Sequence, residues 1–261
     1  MSLKLAFAGL RHGHIAVLYN LAKDFPGVKI VAACEEDDKS REEIRKAGAV
    51  DVTHSSIDKM LSEVDCDAVA VGDYYSKRGQ IIIKSLEKGR HVISDKPMCT
   101  CLKELDKIGS LAKSKNLKVG CMFDVRDMPQ FIALRDIVRS GAIGEVHNIV
   151  FGGQHPLMLG VRPNWYFEDG KHGGTLNDIA VHAVDFIPWA TGLSFDSVVA
   201  ARCWNAYAKP HPKFNDCAQV MLKLSNGAGV LGDVSYALPD SHGYSNPFYW
   251  RTTFFGSKGI V

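Results

Sequence analysis

A regular alternation of short apolar runs and helix-like stretches in the first half of the chain constrains the fold most. The apolar runs predict strands at Lys4–Ala8, Val28–Cys34, Val50–His54, Ala68–Gly72, His91–Ser94 and Val119–Phe123. Helices are predicted from the residues after the first strand through Ala22, and at Lys39–Ala47, Ser56–Val64, Arg78–Lys88 and Leu102–Lys115. Strands that alternate with helices pair in parallel through right-handed crossovers. We therefore expect an α/β fold whose first domain, residues 1–123, is a doubly wound parallel sheet.

The second half, residues 124–261, has longer strands and fewer helices. Strands are predicted at Glu145–Gln154, Ser197–Trp204, Cys217–Leu224, Gly229–Tyr236 and Arg251–Phe255, and helices at Asp127–Ser140 and Gly173–Asp185. Asn226-Gly227 is typical of a tight hairpin turn, which joins antiparallel neighbours. This pattern predicts a C-terminal α+β domain with a mostly antiparallel open sheet.

Bulk composition excludes several classes of protein. The chain has 261 residues, enough for two domains, and a net charge of only +2 without a basic block, so no nucleic-acid partner is expected. No apolar run approaches the roughly 20 residues of a membrane helix. Seven scattered cysteines without a CxxC pair, and an N-terminus without a signal peptide, favour free thiols in the reducing cytoplasm.

A glycine-containing loop follows the first strand and opens the first helix. Gly9 permits a tight turn, and Gly13 lets a pyrophosphate approach the helix N-terminus. Arg11 and His14 stand where the usual three-glycine pattern has its second and third glycines. Arg11 either adds positive charge near the phosphates or is a solvated loop residue. With His12, these residues predict a dinucleotide-binding Rossmann domain.

Polar residues at other strand ends extend this prediction. Glu35 follows the second strand, where an acid accepts hydrogen bonds from the adenosine ribose and repels a 2′-phosphate, so NAD is favoured over NADP. Alternatively, Glu35 and residues 36–38 form an acidic surface at a helix start. Asp73 and Tyr74 follow the next strand but one and should border the cofactor, although the tyrosine is alternatively a packing residue.

The stretch His91–Pro97 places an acid and a lysine where a buried strand ends. Pro97 stops the strand directly after Asp95 and Lys96. Ligands bind at the carboxyl ends of strands in an open α/β sheet. Lys96 there can polarise or deprotonate a substrate hydroxyl. The alternative is an ordinary solvated lysine.

Asp178 and His182 lie four residues apart on a largely apolar predicted helix, so both occupy one face. Histidine titrates near neutrality and suits proton transfer from a hydroxyl, while a carboxylate beside it can orient the substrate. The pair is alternatively a buried structural hydrogen bond or a metal site, or Asp185 is the real partner of the histidine. We predict no metal.

These motifs together resemble a known family. Asp95-Lys96-Pro97, Gly173-Gly174 leading to Asp178, His182 and Asp185, the stretch 141–146, Arg126 and the stretch 256–259 resemble the glucose–fructose oxidoreductase, inositol dehydrogenase and rhizopine-catabolism (Gfo/Idh/MocA) family. The resemblance implies NAD(P)-dependent hydride transfer on sugars, polyols or similar molecules. It also implies that Lys96 is the lysine of the family's Glu-Lys-Pro motif, and that Asp178 and His182 are the substrate-binding and acid–base pair.

The sequence departs from the family pattern in three places. The glycine loop lacks two glycines, and Tyr74–Arg78 replaces the family's Pro-Asn-x-x-His. The chain ends at a strand where relatives usually continue, so the C-terminal domain is either truncated or closed with fewer strands.

The resulting hypothesis is an NAD-dependent dehydrogenase acting on a CH–OH group, with Lys96, Asp178 and His182 as catalytic residues. Substrate-binding candidates are Arg126, Trp165, Tyr166 and His172. The rivals are a redox-neutral lyase or glycosidase with tightly bound NAD, and a non-enzymatic dinucleotide sensor. A homodimer or homotetramer is expected through the C-terminal sheet, whose predicted open face includes Val220, Leu222 and Leu224.

Overall fold

The computed structural model describes residues 2–244 and 249–261. The chain divides into two compact units. The N-terminal unit comprises the residues up to Met122 together with Gly170–His172. The C-terminal unit comprises Phe123–Asp169 and Gly173–Val261.

The N-terminal unit is built on a five-stranded sheet in the order β2-β1-β3-β4-β5, and every neighbouring pair is parallel. Its strands are β1 Leu3–Ala8, β2 Val28–Cys34, β3 Ala68–Val71, β4 His91–Asp95 and β5 Val119–Met122. Its helices are α1 Gly13–Asp24, α2 Asp38–Ala47, α3 Ile57–Glu63, α4 Tyr75–Glu87 and α5 Leu102–Ser114. The prediction of a doubly wound parallel sheet is confirmed.

Burial of the strands on both faces explains why this sheet forms. All four residues of β3 are buried, and its alternate side chains enter two separate apolar clusters. One cluster contains Val69 and Ile82, and the other contains Phe7 and Ile15. A strand with apolar residues on both faces is stable only when helices cover both faces.

The predicted strand at Val50–His54 is wrong. Val50 and Val52 are buried, but the segment makes only an isolated bridge, between His54 and Cys34. The Thr53 side chain and the backbone N–H groups of Thr53 and His54 bond to Ala33 instead of extending a ladder. The two alternating valines that predicted a strand therefore serve as core anchors at the edge of β2.

The C-terminal unit contains a second five-stranded sheet in the order β10-β6-β9-β8-β7. Its strands are β6 Val146–Pro156, β7 Phe195–Trp204, β8 Cys217–Leu224, β9 Gly229–Leu238 and β10 Arg251–Gly256, and its helices are α6 Pro129–Arg139 and α7 Val181–Thr191. The central β6–β9 pair is parallel and the other pairs are antiparallel. The prediction of a mostly antiparallel sheet is confirmed.

The helix predicted at Gly173–Asp185 begins later, ends later and is not uniform. Leu176–Ala180 forms a π-helical turn, and α7 continues from it through Thr191 despite Pro188. Single π turns inside helices occur frequently at functional sites. Here the turn carries Asp178, and α7 carries His182.

The prediction that Val220, Leu222 and Leu224 line the open face of the C-terminal sheet is wrong. Val220 is partly buried and packs against the core of the unit. Leu222 and Leu224 are buried in the core of the unit, where the phase of β8 directs them. The opposite face of the sheet exposes Met221 by 43% and Leu231 by 45%. Because side chains alternate along a strand, an error of one residue moves the apolar set to the other face.

Within the described ranges, every helix is too short or too polar to cross a membrane.

Candidate functional site

The glycine loop has the geometry that an anionic ligand needs. Gly9 has φ of 75°, and a Cβ there would lie 2.5 Å from the Cβ of Asp73, so a side chain is excluded. A Cβ on Gly13 would meet no described atom within 4 Å. Among the described residues no side chain caps the N-terminus of α1, whereas Asp37 caps α2. This uncapped helix start beneath an open glycine fits a pyrophosphate.

Arg11 is held over the end of the sheet by carboxylates. Its Nε lies 2.7 Å from Asp73 Oδ1 and 3.5 Å from Glu35 Oε1. Its guanidinium also lies 4.6 Å from the centre of the Tyr74 ring, and the Lys171 ammonium lies 5.0 Å from the same ring. The structure thus brings Arg11, Glu35, Asp73 and Tyr74 together, as the cofactor-binding prediction requires.

Glu35 anchors the glycine loop to the end of β2. The residue is fully buried, and its two carboxylate oxygens accept the backbone N–H groups of Leu10 at 2.7 Å and Asp37 at 2.9 Å. Burial raises the pKa of Glu35 above its ordinary value. Each oxygen of this carboxylate already accepts one backbone hydrogen bond. Contact between the carboxylate and a ribose stays a prediction.

His12 and Asp95 form a buried pair at the end of β4. Burial lowers the pKa of His12 to about 4 despite the nearby carboxylate, so the ring is neutral at pH 7. A neutral ring that donates from Nδ1 to Asp95 accepts at Nε2, and the Tyr75 hydroxyl lies 3.3 Å from that atom. Burial alone would raise the pKa of Asp95, but Arg78 and His12 outweigh it and hold that pKa well below its usual range.

The same corner contains three groups with the spacing of metal ligands. Ligand atoms of His12, His14 and Asp95 all lie within 4.8 Å of one another. Arg78 Nη2, however, lies 2.9 Å from Asp95 Oδ2 and already supplies a positive charge. The corner therefore fits a hydrogen-bonded ion pair better than a cation site.

Arg78 clamps the backbone around Lys96, a role that the sequence analysis missed. This fully buried arginine donates from Nε to the carbonyl of Asp73 at 2.6 Å. Its Nη1 donates to the carbonyls of Lys96 at 2.6 Å and Pro97 at 3.1 Å. Lys96 itself is 4% exposed, and the Lys96–Pro97 peptide is cis. An arginine within the apolar stripe of a predicted helix was the signal that could have revealed this clamp.

His172 belongs to the N-terminal unit, although it lies far along the sequence. Its ring lies 5.1 Å from that of Tyr75, and it is buried. The backbone N–H of Ser76 donates to the Lys171 carbonyl at 3.0 Å, which fixes this short segment beside the start of α4. The predicted substrate residue His172 thus lies beside Tyr75, the neighbour in sequence of the predicted cofactor residue Tyr74.

Asp178 in the C-terminal unit is held by a tyrosine that the sequence analysis did not identify. Its carboxylate accepts a hydrogen bond from the Tyr236 hydroxyl on β9, and both residues are buried. Burial, reinforced by the Asp178 charge, raises the pKa of Tyr236 well above its ordinary value. Tyr236 therefore keeps its proton and remains the donor.

His182 lies in an aromatic setting one turn further along. Its ring centre lies 5.0 Å from that of Trp250 and 5.9 Å from that of Phe123, and its Nδ1 lies 3.7 Å from Asp124 Oδ1. The alternative in which Asp185 is the partner of His182 is wrong, because the Asp185 carboxylate forms a two-pronged ion pair with Arg126.

Trp165 and Tyr166 form a buried stack with ring centres 4.2 Å apart. The guanidinium of Arg162 lies 4.8 Å from the rings of both Tyr166 and Tyr236. Two predicted substrate residues are thereby connected to Asp178 through Tyr236. Neither Arg162 nor Tyr236 belongs to a local motif, so the sequence carried no signal for them.

Comparison with known proteins assigns both halves of the chain. Residues 3–123 match the model described as an oxidoreductase family with an NAD-binding Rossmann fold. Residues 131–261 match the GFO/IDH/MocA C-terminal domain.

Individual relatives are distant. The scyllo-inositol 2-dehydrogenase (NAD(+)) of Bacillus subtilis is 24% identical over 246 residues, which are 93% of this chain and 68% of that protein. The levoglucosan dehydrogenase of Pseudarthrobacter phenanthrenivorans is 25% identical over 180 residues, which are 67% of this chain and 45% of that protein. For four curated relatives the matched stretch covers only 36 to 56% of their own length.

Solved structures share the fold. Scyllo-inositol dehydrogenase from Lactobacillus casei, with bound NAD(H) and scyllo-inositol, matches with a TM-score of 0.83 and 21% identity, over 100% of this chain and 76% of that chain. The chain therefore belongs to the GFO/IDH/MocA oxidoreductase family, and its first half is an NAD-binding Rossmann domain.

Proposed function

We propose that this protein is an NAD-dependent dehydrogenase that oxidises a hydroxyl of a sugar, a polyol or a related small molecule. The observation that carries the proposal is the buried Lys96, whose backbone Arg78 clamps at the end of β4 in an NAD-binding domain. Buried Asp178 and His182 in the C-terminal unit supply a second set of groups for proton transfer. Relatives named for inositol and levoglucosan oxidation support the substrate class.

The N-terminal unit is proposed to bind NAD through Gly9, Arg11, His12 and Gly13, with the pyrophosphate at the open start of α1. The remaining cofactor contacts are proposed at Glu35, Asp73, Tyr74, Asp95 and Lys96. Acidic residues at the end of β2 favour NAD over NADP, because they repel a 2′-phosphate. When bound, NAD supplies the hydride acceptor.

Three side chains are assigned to the chemistry. His182 takes the proton of the reacting hydroxyl, since a histidine titrates near neutrality. Lys96 polarises a substrate hydroxyl with its ammonium group. Asp178, oriented by Tyr236, accepts a hydrogen bond from a neighbouring hydroxyl.

Four further residues are proposed to shape substrate binding. Trp165 and Tyr166 offer a rigid aromatic stack, and His172 contacts Tyr75. Arg126 is proposed to act through Asp185, because its guanidinium is already paired there.

We also propose a homodimer or homotetramer in which the exposed face of the C-terminal sheet is the contact. That face exposes Val150, Met221 and Leu231 around a cavity of about 480 Å³. Exposed apolar patches of this kind mark interaction sites.

All seven cysteines are free thiols, which fits a reducing compartment such as the cytoplasm.

A direct test titrates the protein with NAD and then screens sugars and polyols by reduced-nicotinamide absorbance and by product analysis. The proposal expects NADH and ketone or lactone product in equal amounts. Product without net NADH would indicate redox-neutral chemistry with a transiently reduced cofactor. NAD binding without any product would indicate a sensor.

A further inference from the structure

Arg162 is a half-buried cation in the C-terminal unit that the proposed chemistry does not use. Its guanidinium lies between the rings of Tyr166 and Tyr236, 4.8 Å from each centre. Nε donates to the Leu157 carbonyl and Nη2 to the Pro156 carbonyl, both at 2.9 Å. Two rings and two carbonyls therefore fix both the position and the plane of the guanidinium.

The third nitrogen of Arg162 is available to a ligand. Nη1 makes no hydrogen bond with any described residue, and it is not among the polar atoms sealed from solvent. An arginine fork has five N–H groups, and those on Nη1 point away from the two carbonyls already bound. A ligand group that accepts hydrogen bonds can therefore reach it.

Among the described residues, Arg162 also has no carboxylate partner of the kind that a largely buried cation normally has. Arg78 pairs with Asp95, and Arg126 pairs with Asp185. In the part of the chain that the structure describes, no carboxylate forms an ion pair with Arg162. Burial opposes its charge, but Tyr236, Tyr166, Tyr244 and Asp178 outweigh that effect and raise the pKa of Arg162. Arg162 is thus a permanent, immobilised positive charge that can bind an anion.

The position of this charge relates it to substrate binding. Tyr236 packs against Arg162 with its ring and donates to Asp178 with its hydroxyl. The cation and the proposed substrate-holding carboxylate are thus separated by one tyrosine ring. A small polyhydroxy acid can place one of its hydroxyls at Asp178 and its own carboxylate at Arg162. The carboxylate of the ligand is then kept away from the carboxylate of Asp178.

We propose that Arg162 Nη1 binds the carboxylate of the substrate, so that the preferred substrates are sugar acids rather than neutral sugars or polyols. This inference rests on the proposed function and names its substrate class. Charge-assisted hydrogen bonds between arginine and a carboxylate are among the strongest in proteins. The competing role is purely structural, in which Arg162 only fastens the turn after β6.

The test compares acid and neutral probes of matched shape, D-glucuronate against D-glucose and D-gluconate against D-sorbitol, on the intact chain with NAD. We expect kcat/KM to favour the acid of at least one pair by about ten- to hundredfold. Arg162→Met should remove most of that preference by raising KM for the acid. Turnover of the neutral partner should change less than about threefold. Arg162→Lys should recover part of the preference.

Arg135→Met is the matched control, since Arg135 is a partly exposed arginine of the same unit that likewise lies over an aromatic ring, that of Trp189, but is paired with Asp136. It should leave the acid preference unchanged. Equal turnover of acid and neutral probes by the unaltered protein would overturn the proposal. An equal loss for both probes in Arg162→Met would overturn it too, because that is the signature of a structural role.

Direct binding separates this proposal from the proposed function. Calorimetric titration with D-glucuronate and D-gluconate should show binding that Arg162→Met weakens, whether or not NADH forms. If neither acid binds, the Arg162 proposal fails while a dehydrogenase acting on neutral polyols remains. If an acid binds at Arg162 but no probe yields NADH, the proposed function fails instead.

Discussion

Replacing Arg78 by alanine should destabilise the N-terminal unit more than any surface substitution. Arg78 is fully buried and donates four hydrogen bonds, to the carbonyls of Asp73, Lys96 and Pro97 and to the Asp95 carboxylate. Removing one partner of a buried ion pair costs about 3–5 kcal/mol, because the remaining charge is left uncompensated. That loss is a large fraction of the roughly 5–15 kcal/mol that stabilises a typical domain.

The assay is urea unfolding with and without NAD. Because a ligand that binds the folded state stabilises it, the transition that NAD shifts to higher urea belongs to the dinucleotide-binding unit. Arg45→Ala is the matched control, because Arg45 is an exposed residue near the end of α2. It should change stability by no more than about 0.5 kcal/mol. Arg78→Lys should fall between the two, since lysine keeps a charge beside Asp95 but cannot reach three carbonyls at once. If Arg78→Ala lowers the free energy of unfolding no more than Arg45→Ala does, Arg78 does not stabilise the backbone around Lys96.

Three further predictions concern other parts of the molecule. Folding lowers the pKa of His12 from 6.5 to about 4, so between these two pH values only the unfolded chain binds a proton at His12. The free energy of unfolding should therefore fall by about 3 kcal/mol from pH 6.5 to pH 4. Urea unfolding at several pH values should show a flatter pH dependence for His12→Asn. Gly9→Ala should lower the free energy of unfolding by about 2–4 kcal/mol, since the added Cβ would lie 2.5 Å from the Cβ of Asp73. Gly13→Ala should leave the free energy of unfolding unchanged but weaken NAD binding in calorimetry. Leu231→Glu should shift the chain to monomers in sedimentation, and an unchanged assembly would exclude that face of the sheet.

The parallel sheet was predictable because its signal is local. Each of its five strands contains a short apolar run, and β3, which is buried on both faces, requires helices on both sides of the sheet. The same reasoning failed at Val50–His54, where two alternating valines are equally compatible with a strand and with anchors beneath a loop. In β8 the strand itself was predicted, but its phase was not, because Val220, Leu222 and Met221 are all apolar and give no alternation.

The candidate site was predictable where chemistry follows a motif and unpredictable where it depends on folding. Lys96, Asp178 and His182 stand in recognisable patterns. Arg78, Arg162 and Tyr236 do not, because their roles depend on partners distant in the sequence, such as Asp178, 58 residues before Tyr236. Glu35 combines both cases: its place after β2 predicts contact with a ribose, and only folding reveals that each of its oxygens also accepts a backbone N–H group.

The proposed oxidation requires both Lys96 and His182, and turnover in single variants of each tests this requirement most directly. With an oxidised substrate in hand, Lys96→Ala and His182→Ala should each lower the rate of NADH formation by about 10²–10⁴ while NAD still binds in a calorimetric titration. Lys103→Ala, an exposed lysine of α5, should retain the full rate. Turnover at the unaltered rate in either Lys96→Ala or His182→Ala would show that the replaced residue has no part in the oxidation.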